Sequence, residues 1–179
     1  MANRIASLRS FQKGFSLLEL VVSILVVAVL MAVAYIKLER LAEDVERVSF
    51  EGVRNNIQAQ VTLKVAYWFA EQQRVSKEML EKKNPIDLVK HKPTNYGGEL
   101  DYNELLIAPS ERWYFVSDKR WLVYKVKRST QLINEFEQTE ILPFQLTVRF
   151  QHKHKGQGIA TEINLQSLYY FSWQEDNGD

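Results

Sequence analysis

The feature that most constrains this chain is the apolar run from Phe15 to Ile36, introduced by Lys13-Gly14 and carrying one ionisable side chain, Glu19. A helix rises about 1.5 Å per residue, so roughly twenty residues cross a bilayer core, and the run is long enough. A carboxylate inside such a helix costs about 2.5–3.5 kcal/mol at the bilayer centre and less near an interface. Something must offset that cost. Cleavage between Gly14 and Phe15 would create an α-amino group four residues before Glu19. The new terminus of one subunit then pairs with Glu19 of a neighbour. In low dielectric such a pair sets register more than it adds stability.

Other N-terminal segments explain less. An ordinary secretory signal has a shorter apolar region, with small residues at a cleavage site beyond it. Here Ala28, Ala32 and Ala34 lie within an uninterrupted helix-forming run. A lipoprotein signal needs a cysteine, and the chain has none. An uncleaved anchor accounts for the length but not for Glu19 or Gly14.

Lys13-Gly14 followed by Phe15-Ser16-Leu17-Leu18-Glu19-Leu20 resembles the processing site of type IV prepilins and of the pseudopilins of type II secretion. The resemblance implies that a prepilin peptidase removes residues 1–14 as a basic leader, that Phe15 becomes the N-methylated terminus, and that Glu19 aligns subunits. It also implies other pilins and the inner-membrane assembly machinery as partners. The leader carries Arg4, Arg9 and Lys13 without an acid. By the positive-inside tendency that end stays cytoplasmic, residues 15–36 contact lipid, and the remainder lies in the periplasm.

Composition narrows the rest. Without the membrane segment the 179 residues amount to one domain, and four Trp, eight Tyr and nine Phe can fill its core. A net charge of +1 gives no basic field for nucleic acid. The lack of cysteine excludes disulfides and thiolate metal sites. Many major pilins close a C-terminal loop with a disulfide, so this departure favours a minor pilin or a pseudopilin.

Residues 37–83 carry a helical pattern. Leu38, Leu41, Val45, Val48, Val53, Ile57, Val61, Val65, Trp68 and Phe69 are expected to mark one buried face. Glu39, Arg40, Glu43, Asp44, Glu46 and Arg47 are expected on the solvated remainder. Asn84-Pro85 is the expected stop, giving a helix of about seventy residues from Phe15. The family places a proline near the end of the apolar run, where this chain has Ile36.

Residues 84–179 are expected to form a connector and a sheet. Pro85, Pro93, Pro109 and Gly97-Gly98 break regular structure up to Ser110. Arg112–Val116 with Trp121–Lys127, and Phe144–His152 with Ile159–Phe171, read as two hairpins. Ser129–Glu140 reads as a polar, partly helical crossover. The expected fold class is α+β: a long N-terminal helix whose second half packs on a C-terminal antiparallel sheet, as in type IV pilins. Asn84-Pro85, Pro93-Thr94-Asn95-Tyr96-Gly97-Gly98-Glu99-Leu100 and Arg112-Trp113-Tyr114-Phe115 resemble minor pilins of the mannose-sensitive haemagglutinin (MSHA) pilus system.

No nucleophile elbow, phosphate loop or zinc-binding helix motif is present, so an enzyme is not expected. His152 and His154 point to one side of a strand, but Lys153 and Lys155 repel cations, and a solvated strand end is the simpler reading. Glu99, Asp101 and Glu104 do not match a calcium loop's spacing. Tyr169, Tyr170, Phe171 and Trp173 suit either a sugar platform or the core. No cofactor or metal is expected. The reading is a minor pilin-like subunit of an MSHA-like type IV pilus; the alternatives are a type II secretion pseudopilin and a pilus-tip adhesin.

Overall fold

The computed structural model describes residues 15–73, 75–137, 139–153 and 157–174, those from 150 to 161 by their backbone only. The chain divides into two units, one ending at Arg40 and one beginning at Leu41. In the first, the apolar run forms helix from Leu17 onward, and every residue from Phe15 to Arg40 is exposed. The full helix, α1, spans Leu17–Ala70, with Ile36 inside it.

In the second unit α1 meets the sheet through a face different from the expected one. Glu43, Glu46, Phe50, Ile57, Val61 and Val65 are buried, at steps of three, four and seven residues. Leu41, Val45 and Val48 are exposed by 59%, 61% and 65%. The expected single stripe is therefore two stripes. From Val53 onward the apolar residues expected on the stripe pack as anticipated, but Leu38, Leu41, Val45 and Val48 lie outside the core.

α1 stops at Ala70, well before Asn84. Gln72 adopts a left-handed conformation (φ 55°), the Gln73 N–H donates to the Trp68 carbonyl (2.9 Å), and the Gln72 N–H donates to Phe69 (3.1 Å). This is a Schellman cap with glutamine where glycine is usual. Helix α2 (Lys77–Glu81) restarts on a Ser76 cap. Asn84 then caps a 3₁₀ turn, Pro85–Leu88, by accepting the Ile86 N–H (2.9 Å).

The connector contains two further elements, strand β1 (Tyr96–Leu100) and helix α3 (Tyr102–Ile107). The expectation of broken structure at Gly97-Gly98 is corrected. A Cβ on Gly97 would lie 2.1 Å from the Tyr114 ring, so glycine is what lets β1 pair there, and Gly98 (φ 104°) sits in a bulge. The two expected hairpins are present as β2 (Arg112–Val116) with β3 (Trp121–Lys125), and β5 (Ile141–Lys153) with β6 (Gln157–Ser167).

The five-stranded sheet runs β1-β2-β3-β5-β6, with β1 parallel to β2 and the other pairs antiparallel. It is mixed, not wholly antiparallel. The expected partly helical crossover instead contains strand β4 (Leu132–Asn134), which pairs with β7 (Phe171–Trp173) in a small second sheet. Phe50 joins helix to sheets. Its ring stacks on Trp113 at 5.4 Å and meets Tyr124, Phe144, Phe171 and Trp173 at 5.0–5.9 Å.

Candidate processing and assembly site

Phe15, 69% exposed, precedes the first residue of α1, and Glu19 lies in the first turn. An acid there faces the positive end of the helix dipole, worth about 0.3–1 kcal/mol. That offsets part of the cost of placing a carboxylate in lipid. The Ser23 hydroxyl donates to the Glu19 backbone carbonyl (2.7 Å), so this serine satisfies itself locally and leaves the carboxylate alone. No described side chain pairs with that carboxylate. Arg4, Arg9, Lys13 and Gly14 lie outside the described residues. α1 is the one described helix long and apolar enough to cross a membrane.

The family profile of the prokaryotic N-terminal methylation motif matches residues 9–35, a span that includes Lys13, Gly14, Phe15 and Glu19. The chain carries this methylation motif. It is a type IV prepilin-like signal. The α+β arrangement of long N-terminal helix and C-terminal sheet is type IV pilin-like. No curated protein and no solved structure matches the chain. The methylation motif and a membrane-anchoring apolar helix thus fall on the same residues.

Beyond the motif, two glutamates expected at the surface have structural work. Glu46 is 3% exposed; its Oε1 accepts from the Lys127 N–H (2.8 Å) and the Tyr124 hydroxyl (3.2 Å), and its Oε2 accepts from the Arg128 N–H (3.1 Å). The Arg128 guanidinium lies 3.7 Å away. Glu43, equally buried, accepts the Gln131 N–H (2.7 Å). Together they fasten the chain between β3 and β4 to the helix. Burial pushes the Tyr124 phenol well above its ordinary range, and the Glu46 charge adds to the shift.

The remaining candidates separate cleanly. Asp101 and Glu104 form a reciprocal cap on α3, at 2.8 and 3.0 Å, and Glu99 accepts from the Asn84 amide (2.8 Å). Their oxygens serve local structure. His152 lies on β5 opposite Gly158; its side chain and all of His154 fall outside the description. Phe171 and Trp173 pack on the core around Phe50, whereas Tyr169 and Tyr170 are exposed.

Proposed function

We propose that this chain is a non-catalytic minor subunit of a type IV pilus of the MSHA kind, anchored in the inner membrane until assembly. The observation that carries the assembly role is the apolar side of α1 left uncovered by the folded unit. Leu41, Val45 and Val48 lie in residues that pack with the sheet, yet each is more than half exposed. At about 25 cal/mol per Å², exposed aliphatic side chains of this size favour burial against another helix or lipid. In this reading Phe15 is the methylated terminus, Glu19 meets the α-amino group of a neighbouring subunit, and residues 17–36 form the packing surface.

Support for the MSHA-like assignment comes from the placement of its three motif pieces. Asn84 donates to the Tyr96 hydroxyl and to Glu99, and β1 pairs with β2 through Tyr96–Trp113 and Glu99–Phe115. The pieces make one local structure, as a shared motif requires.

The chain has no cysteine, so Val45→Cys gives an unambiguous crosslinking probe. Oxidation in cells expressing the pilus genes is expected to join it to another subunit bearing a matched cysteine. Glu19→Ala is expected to leave membrane insertion intact and lower incorporation severalfold. Unchanged incorporation of Glu19→Ala, with no crosslink from Val45→Cys, would contradict the assembly role.

A further inference from the structure

A groove runs between α1 and β6, the last strand of the five-stranded sheet. Arg54, Asn55 and Gln58 line it from the helix, and Arg149, Glu162 and Gln166 line it from the strands, around about 460 Å³. The Arg149 guanidinium lies 3.0 Å from the Glu162 carboxylate, which offsets its charge. Arg54 is half-buried and has no hydrogen-bond or ion-pair partner among the described residues. One positive charge is left uncompensated, on the helix side.

That charge and its surroundings define an occupant. A guanidinium losing water regains most when a carboxylate meets its planar fork. A single net charge suits one carboxylate better than a phosphate group, which carries about −1.5 to −2. The Asn55 and Gln166 amides each offer donors and an acceptor, and neither has a described partner. They suit the peptide groups flanking an acidic side chain.

Strand addition is blocked at the middle of the edge. The Gln58 amide nitrogen donates to the Ile163 carbonyl, and its oxygen accepts the Leu165 N–H (2.5 Å). These are edge groups that a visiting strand would need. Recognition therefore runs through side chains.

We propose that this groove binds an acidic, extended peptide segment of a partner protein, with Arg54 taking one of its carboxylates. The groove belongs to the folded unit beginning at Leu41, and its ligand chemistry does not depend on the pilus reading.

The test uses the full chain in detergent micelles and two labelled, end-blocked peptides, Gly-Glu-Gly-Asp-Gly and its Gln/Asn counterpart, followed by fluorescence anisotropy. The acidic peptide is expected to bind about tenfold tighter or better. Arg54→Gln removes that preference, while Arg120→Gln, at an exposed arginine outside the groove, keeps it. If Arg54→Gln does not fold, Arg54→Met, which also removes the charge, is expected to lose the preference. Equal binding of the two peptides would overturn the proposal. So would a preference unchanged by either Arg54 substitution, or displacement of the probe by inorganic phosphate at matching concentration.

Discussion

Glu46 shows how one side chain can decide a stretch of fold. Its two oxygens, on a residue only 3% exposed, satisfy the N–H groups of Lys127 and Arg128 and the Tyr124 hydroxyl. Glu46→Ala removes the acceptor of those three donors and is expected to cost about 3 kcal/mol in chemical denaturation. Tyr124 links the same site to pH. Its phenol ionises at higher pH in the folded chain than its ordinary value of 10.0, because burial and Glu46 oppose a second negative charge. Its contribution to stability is complete below pH 10 and declines as pH rises toward the folded value. Tyr124→Phe is expected to flatten the fall in stability above pH 10, although Tyr96, Tyr102 and Tyr114 are shifted the same way and keep part of it. At Gly97 the constraint is space: Gly97→Ala drives a methyl into the Tyr114 ring and is expected to cost about 1–3 kcal/mol.

At the scale of elements, the end of α1 rests on Gln72. A left-handed non-glycine residue is strained by about 1–2 kcal/mol, partly offset by the greater freedom glycine has when unfolded. Gln72→Gly is therefore expected to stabilise the chain by roughly 0.5 kcal/mol, read as a higher denaturation midpoint. The same residue explains why the helix end was hidden in the sequence: no glycine marks it, and Asn84-Pro85 offers a stronger stop signal farther on. The two-stripe character of α1 was visible in principle. The apolar residues step by three and four from Leu38 to Val48, then by five to Val53, which carries the pattern onto another side of the helix. The β2–β3 and β5–β6 hairpins were legible because polar turns separate alternating or aromatic runs. β1 and β4 were not, because each is defined by a partner: β1 by β2 and the Tyr114 ring, β4 by β7 some forty residues later. The pairs Glu43–Glu46 and Arg54–Gln58 left no sequence signal, since charged and amide residues on a helix usually face water.

For the whole molecule, the N-terminal reading is the most legible because it rests on covalent order. Lys13-Gly14, an apolar run and one acid stand at fixed spacing, and the prokaryotic methylation motif covers residues 9–35. The folded unit adds what spacing alone does not show. It uses the Phe50 side of α1 for its own core and leaves Leu41, Val45 and Val48 exposed. A chain built this way is expected to remain with membrane or filament fractions, and to become soluble when truncated within α1. In the proposed assembly Phe15 is created as a new, methylated terminus that meets Glu19 of another subunit. Mass spectrometry of the N-terminal peptide, from protein made in cells with the pilus genes, tests it directly. The expected result is a mature chain beginning at Phe15 with a methylated amine; a chain still beginning at Met1, or one cut beyond Ala34, would contradict that origin for Phe15.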